Sequence, residues 1–450
     1  MHRQSTILFV LFVLAVSCKV QKANQRLHLT VNANATVIDS FLALPDLAQA
    51  HVGIAVYDME SKHYLYNYQA TKNFIPASTT KLLTAYAAMR FLGDSIPAMR
   101  YELDSAQQQL TLYPTGDPTL LHSDFSNHRL LPYLQQLIVQ KKLNPIFKHQ
   151  GSIEKYGMGW AWDDFDADYM PERSLIPIYG NTLRWSLSGG ALQIQPKYWM
   201  QKHEVGTKGL HEIQLPNDTM FYLQRSANDN SVVAVPSNRK FSSAVFPVFD
   251  AANNNSCLLY DTVRNLKSSA LNLPVGKHTI HSLPTDTLLK LCMYRSDNFY
   301  AEQLLLLTGN EVTGSFGERN FINYLLKSEL SQLPFAPRWV DGSGLSRYNL
   351  ISPAAQVALL EKMHQNIGWR RITAVLPTGN QGTLRNYYTG LSGRIYAKTG
   401  TLSNNVCLAG FLITASGKKL AFSVMVNNHM GNVTNIRRAV ERFLTGVAAQ

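Results

Sequence analysis

Near both ends of the chain apolar residues alternate with polar ones, and elsewhere they recur at helical spacing. From His51 the sequence reads HVGIAVYDM, then a Glu-Ser-Lys turn, then HYLYNYQ. Alternation rich in aromatic and β-branched residues predicts two strands joined by a turn. The stretch Phe74–Gly93, FIPASTTKLLTAYAAMRFLG, predicts a helix, because Pro76 and a cluster of hydroxyl side chains lead into an Ala-rich apolar run. At the far end three strands are predicted, Arg394–Leu402, Val406–Thr414 and Lys419–Val426, with Ser-Asn-Asn and Ala-Ser-Gly-Lys as their turns. A last helix, from Thr434 to Ala448, places Ile436, Val440 and Phe443 or Leu444 on one face.

Two strands at the front and three at the back, each set beside a helix, predict one antiparallel sheet with helices on both faces. Residues 25–99 and 268–450 would then close into a single α/β domain. Between them, over residues 100–267, the character changes. The segments SANDNS and AANNNS read as turns, and LQIQP and TMFYLQR as short strands, so this part reads as an inserted β-rich region of one or two small domains. The sequence holds no internal repeat and no low-complexity linker.

Composition narrows the class. A chain of 450 residues, 45% hydrophobic and 16% charged, has ample material for a core, and its length suggests about three domains. Lys and Arg number 42 against 30 Asp and Glu, a net charge of +12. That balance fits an anionic membrane or cell-wall surface as well as nucleic acid. Dense Lys/Arg runs, zinc-knuckle spacing and aromatic RNA-binding motifs are missing, which argues against nucleic acid. The N-terminus, MHRQSTILFVLFVLAVSCKV, has a basic start and about ten apolar residues, too few to span a bilayer and suited to a secretion signal over residues 1–18. Val16-Ser17-Cys18 is similar to a bacterial lipoprotein cleavage box with Cys18 as the lipidated residue. Export to the periplasm or cell envelope, with a possible lipid anchor at Cys18, is the expectation. Cys257, Cys292 and Cys407 fall in no metal-ligand spacing, and the 13 histidines include no HExxH pair. Nothing in the sequence calls for a metal or cofactor.

The chemistry enters at Lys81. It follows Ser78 by three positions, on the same helical face, at the start of a helix built for burial. Either Lys81 snorkels to the surface and Ser78 caps the helix, or Lys81 is held beside Ser78 to take its proton. Four Ser/Lys pairs share this spacing: Ser78/Lys81, Ser152/Lys155, Ser237/Lys240 and Ser416/Lys419. Of these, Ser416 belongs to a hairpin turn and Ser237–Lys240 reads as a polar loop; only Ser78 opens a buried-looking helix. Ser-x-Asn occurs at Ser226, Ser296 and Ser403, and only the second, YRSDNFYAEQLL, runs into an amphipathic helix. Lys-Thr-Gly occurs once, at Lys398-Thr399-Gly400, on a predicted strand. For Lys81 to act as a base its amine must be neutral near pH 7, against a free value of about 10.4. Burial and a second cation, Lys398, would both push it down. Ser296 would relay a proton to the leaving amine, and Asn298 would hold the substrate backbone and Lys81. Gly400 would leave room for a peptide to add as a strand. The amides of Ser78 and Thr401 would form an oxyanion hole, with Lys398, Thr399 and Thr401 meeting a substrate carboxylate.

Ser78-Thr-Thr-Lys81, Ser296-Asp-Asn298 and Lys398-Thr-Gly400-Thr401 resemble, in this order, the three signatures of penicillin-binding proteins and class A β-lactamases. The likeness extends to TGDPTL (Thr115–Leu120), GWAWDDF (Gly159–Phe165), RSDNFYAEQLL (Arg295–Leu305), DGSGLSRYN (Asp341–Asn349), GTLR (Gly382–Arg385) and AKTGTL followed by LAGF. Over nearly the whole mature chain the sequence resembles the class C low-molecular-mass penicillin-binding proteins, the D-alanyl-D-alanine carboxypeptidase/endopeptidase family. The resemblance implies a penicillin-binding/serine β-lactamase-like transpeptidase domain interrupted by a long insertion. It implies a serine DD-peptidase that forms an acyl-enzyme on Ser78 with peptidoglycan peptides ending in D-Ala-D-Ala, and that β-lactam antibiotics acylate. It further implies that Trp162 and Asp164 face the diaminopimelate side chain of the stem peptide, Asp164 pairing its ammonium, and that Leu345 and Arg347 line the same cleft. Asp341 reads as structural. Ala244–Asp261 matches nothing in this pattern, and Gly379-Asn380-Gln381 approaches GTLR in an unusual way. Two other readings stand beside the peptidase. One is a serine β-lactamase, for which Glu172 in PERSLIPIYGN is a loose candidate for the deacylating carboxylate. The other is a penicillin- or peptidoglycan-binding sensor without turnover.

Overall fold

The computed structural model describes residues 35–104, 106–126, 129–140, 142–143, 145–188, 191–201, 220–264 and 276–450. The secretion-signal segment and Cys18 lie outside the described residues. The described chain opens with helix α1 (Ala35–Leu42) and the hairpin of β1 (His51–Asp58) and β2 (His63–Tyr68). After helix α2 (Lys81–Phe91) it leaves along β3 (Ser95–Asp104) and β4 (Gln109–Pro114), and β5 (Pro145–Phe147) adds to β4 in parallel. A second sheet is built from β6 (Thr182–Ser188), β7 (Ala191–Gln195) and β10 (Ser243–Pro247), with β8 (Met220–Arg225) and β9 (Val232–Lys240) as a separate pair. Helix α3 (Ala251–Arg264) follows, and β11 (Gly276–Pro284) returns beside β3. Helices α4 (Thr285–Arg295), α5 (Asn298–Thr313), α6 (Glu318–Lys327) and α7 (Pro353–Ile367) precede β12 (Ile395–Leu402), β13 (Asn405–Ile413), β14 (Lys419–Asn427) and the closing helix α8 (Val433–Ala448).

The predicted sheet forms. Its five strands run antiparallel in the order β12-β13-β14-β1-β2, so the C-terminal strand β14 pairs with the N-terminal strand β1 from Leu420↔Asp58 to Asn427↔His51. Because strand side chains alternate, the same residues that fix this register also sort into two layers. Ile54, Val56, Phe422 and Val424 pack against Phe41 of α1 and Phe443 and Leu444 of α8. Ala55, Ala409 and Ala421, small enough to let helices approach, face Leu82 and Tyr86 of α2 and Val357 of α7. Gly53 marks one close approach, since a Cβ there would sit 2.5 Å from the Phe74 ring and 2.9 Å from Pro353. Helix α2 is buried from Lys81 to Met89, as a helix apolar on every side requires.

The inserted region has its own core, in which Leu110, Leu112, Leu134, Leu183, Trp199 and Leu258 meet. The boundaries expected at residues 100 and 267 fall within β3 and ahead of β11, the two strands that pair. Two local expectations are corrected. Ser237–Lys240 lies on β9, and AANNNS forms the first turns of α3. Asparagine has little intrinsic taste for helix interiors; here tertiary partners supply the reason. Asn255 donates to Ser174 Oγ, Ile176 O and Asn181 Oδ1, and Asn254 to Phe249 O and Asp250 O. The unplaced segment Ala244–Asp261 is therefore most of β10 and most of α3, clasped to residues 172–181.

Candidate active site

Ser78 lies in a 3-10 turn, Ala77–Thr80, that runs directly into α2, and its side chain caps nothing. Lys81 does not snorkel. It is fully buried, and its Nζ lies 3.0 Å from Ser78 Oγ, 2.7 Å from Asn298 Oδ1 and 2.7 Å from the Ser343 carbonyl. Two of these three partners are pure acceptors. A neutral amine would spend its two N–H groups on them and turn its lone pair to the Ser78 hydroxyl. Burial lowers the Lys81 pKa, opposed by Cys292, Asp341, Asp297 and Glu302 nearby. Burial first and repulsion from Lys81 second hold Lys398 well below the ordinary amine value, a repulsion that the two buried amines share.

Ser296 and Asn298 sit at the junction of α4 and α5. Ser296 ends α4 in the left-handed region at φ 60°, and Asp297 caps α5 by accepting from the Tyr300 amide at 2.8 Å. The sharp turn aims the Ser296 hydroxyl at Lys398, whose Nζ lies 2.7 Å from Oγ and also donates to Thr399 O. Arg295 grips Asp124 with both carboxylate oxygens at 2.6 Å, and the Tyr300 hydroxyl donates to the same carboxylate. The turn is thus held on both sides. Asn298 Nδ2 donates to Tyr169 O at 2.9 Å, which leaves its Oδ1 for Lys81.

Lys398, Thr399, Gly400 and Thr401 lie on β12, the edge strand of the sheet. The geometry gives Gly400 a second reason. A Cβ there would meet Pro76 O at 2.5 Å and the Ser78 amide nitrogen at 3.2 Å, so the Ser78 turn by itself already requires glycine. Lys398 and Gly400 share that inner face, and Thr399 and Thr401 alternate to the other. The Ala397 amide donates outward to Pro377 O. By the same alternation the backbone groups of Thr399 and Thr401 point to the open edge, where an extended peptide could pair.

The outer residues are more dispersed. Trp162 is 83% exposed at the 3-10 turn Trp162–Asp164. Asp164 is hydrogen-bonded to the Tyr169 hydroxyl, and burial, reinforced by this carboxylate, pushes the phenol up to about 12. Tyr169 thereby joins Asp164 to Asn298. Leu345 is half-buried, while Arg347 is exposed and donates to Ser403 O, beyond the end of β12. Asp341 organises its loop, accepting from the amides of Gly344 and Ser346, from Asn349 and from the Trp160 indole. Three participants escaped the sequence reading. The Ser343 and Tyr169 carbonyls, which hold Lys81 and Asn298, are backbone groups that leave no residue signature, though DGSG pointed at the right loop. Arg437, which donates to Thr401 Oγ1 at 2.9 Å, sits on a helix read only for its apolar face. Glu172 is buried elsewhere: its carboxylate accepts from the amides of Asp250 and Ala251 at the start of α3. Among the described residues no three His, Cys, Asp or Glu side chains converge as metal ligands.

The chain is similar to known proteins in both sequence and fold. The profile of the D-Ala-D-Ala carboxypeptidase 3 (S13) family matches residues 34–192 and 265–447. The D-alanyl-D-alanine carboxypeptidase DacB of Haemophilus influenzae is 25% identical over 438 residues, covering 88% of this chain and 89% of its own. The D-alanyl-D-alanine carboxypeptidase of Actinomadura sp. strain R39 is 25% identical over 454 residues, covering 88% and 81%. In fold, the crystal structure of penicillin binding protein 4 from Haemophilus influenzae superposes with a TM-score of 0.71 at 20% identity, over 93% of this chain and 100% of that one. With both parts of the interrupted domain inside the match, the chain belongs to the D-Ala-D-Ala carboxypeptidase 3 (S13) family of peptidases.

Proposed function

We propose that the chain hydrolyses the terminal D-Ala–D-Ala bond of peptidoglycan stem peptides through an acyl-enzyme on Ser78. The observation that carries this is Lys81, buried, 3.0 Å from Ser78 Oγ, with two carbonyl acceptors for its N–H groups. Neutral Lys81 takes the Ser78 proton as Oγ attacks the penultimate D-Ala carbonyl. The amides of Ser78 and Thr401 receive the oxyanion. Collapse breaks the C–N bond, and Ser296, backed by Lys398, relays the proton held by Lys81 to the departing amine of D-Ala, which leaves Lys81 neutral and Ser296 with its own proton restored. Water then attacks the ester, Lys81 again accepting a proton, and Ser78 leaves with its proton restored. The open edge of β12 aligns the peptide, with Lys398, Thr399 and Thr401 toward its terminal carboxylate. Asp164, with Trp162 beside it, receives the free ammonium of the stem, and Leu345 and Arg347 flank the cleft. Cleavage of a cross-link ending at the same type of D-centre uses the same steps. Such substrates place the enzyme outside the cytoplasm, which fits the secretion-signal pattern, the lipoprotein box at Cys18 and the basic net charge.

The test is intact mass against time after mixing wild type and Ser78→Ala with benzylpenicillin, paired with D-alanine release from a muropeptide. A one-drug adduct in wild type alone, together with D-alanine release, is the expected result. An adduct without release would favour the sensor. Rapid loss of the adduct as drug is consumed would favour the β-lactamase, a reading already weakened by Glu172, whose carboxylate is committed to α3. Neither adduct nor release would remove the acylation site itself.

A further inference from the structure

Behind the open edge of β12, on the face opposite Ser78, Thr399 and Thr401 share a notch of about 30 Å³ with Thr383, Tyr387 and Arg437. The volume is that of about one water molecule, too small for a side chain and suited to a single oxygen-bearing group at its mouth. Its polar lining is one-sided. Arg437 reaches from the second turn of α8 and donates to Thr401 Oγ1. Among the described residues it forms no ion pair, whereas its neighbour Arg438 is paired with Glu441 at 2.6 Å. Thr383 Oγ1 is enclosed and has no hydrogen-bond partner. A guanidinium without a counter-ion, held by a hydroxyl on the edge strand and flanked by two further hydroxyls, is a receptor waiting for an acceptor with negative charge.

We infer that Arg437 is a specificity-determining residue that reads the free C-terminal carboxylate of the peptide, acting with the hydroxyls of Thr399 and Thr401. The inference rests on the proposed peptidase reading and deepens it. A peptide paired along the edge of β12 with its scissile carbonyl at Ser78 carries its terminal carboxylate on past the bond, along Thr399 and Thr401. The guanidinium lies behind those two hydroxyls. It supplies the full charge that two neutral donors lack, and its hydrogen bond to Thr401 holds that hydroxyl in place. Arginine suits the task because its fork can keep one N–H on Thr401 while offering others to a carboxylate oxygen.

The experiment compares two peptides identical up to their last residue, one ending in D-Ala-D-Ala and the other in D-Ala-D-alaninamide, on wild type, Arg437→Ala and Arg437→Lys. Release of D-alanine or D-alaninamide is followed, with benzylpenicillin labelling as a count of intact sites. Wild type is expected to prefer the acid. Arg437→Ala should lose about 10- to 100-fold in kcat/KM on the acid, the range of a charge-assisted hydrogen bond, and far less on the amide, so that the preference collapses. Arg437→Lys should keep part of it. Equal losses on both peptides would make Arg437 a packing residue, and an unchanged preference would place the carboxylate elsewhere; either overturns the inference. If wild type labels at Ser78 but cleaves neither peptide, the peptidase reading falls and the inference with it.

Discussion

Lys81 can take a proton from Ser78 only while its amine is neutral, so the rate of acylation reports its ionisation. Burial holds the Lys81 pKa below the ordinary value of 10.5. The sign follows directly: protonated Lys81 is inactive, so the second-order rate of penicilloyl adduct formation rises with pH and levels off above the lowered pKa. Measured from pH 5 to 11 by intact mass, the rise should bend over before 10.5. A rate still climbing through that value, or flat down to pH 5, would mean that another group takes the proton. At this scale the sequence was informative about residue type and poor about cause. Ser78, Lys81, Ser296, Asn298 and Lys398 could each be named from local context. That burial holds Lys398 down as it does Lys81, that Ser296 is bent to φ 60°, and that Gly400 makes room for the Ser78 turn depend on residues far away in the chain.

Among elements, α3 shows how a sequence reading fails and what sets it right. Three successive asparagines argue for a turn by local propensity, and the structure makes them helical because the missing partners come from elsewhere. The first amides of a helix have no partner within it. Glu172 accepts from two of them, at 3.1 Å from Asp250 N and 3.0 Å from Ala251 N, and its charge suits a helix N-terminus. The same carboxylate, read from sequence alone, was a candidate for deacylation chemistry. The two roles separate cleanly in Glu172→Gln. We expect a loss of about 1–2 kcal/mol in unfolding free energy, the worth of a charged buried hydrogen bond reduced to a neutral one. The lifetime of the penicilloyl adduct should stay the same. A variant of native stability whose adduct lasted much longer would return Glu172 to the catalytic site. The strands of the central sheet were legible to within a residue or two, because alternation is local and their partners are one another.

For the whole molecule the decisive contact is the join between the insertion and the catalytic helix α5, and nothing in the sequence announced it. Arg173, fully buried, reaches Glu302 of α5 at 3.4 Å and Glu318 of α6 at 3.3 Å, while Gln303 donates to Gly116 O and Ser174 O. Glu302 in turn accepts from the Ser343 amide at 2.7 Å, and the Ser343 carbonyl holds Lys81. The insertion is thereby built into the frame of the proposed base. The arginine has two carboxylates to serve and Asp341 stands nearby; burial and Asp341 outweigh it and raise Glu302 from 4.5 to about 7. A carboxyl whose pKa is raised by folding holds its proton in the folded state where the unfolded chain has lost it. Its contribution to stability is complete below 4.5 and is lost as pH rises towards 7, a change on the order of 3 kcal/mol. Glu302→Gln mimics the protonated form, can still accept from Ser343, and cannot ionise. Urea unfolding at pH 5 and pH 8 should show the wild type losing ground to the variant at the higher pH. A gap that stays the same between pH 5 and pH 8 would mean instead that Glu302 is already ionised in the folded protein at pH 5, so that Arg173–Glu302 acts as a true buried salt bridge, whose breakage costs about 3–5 kcal/mol.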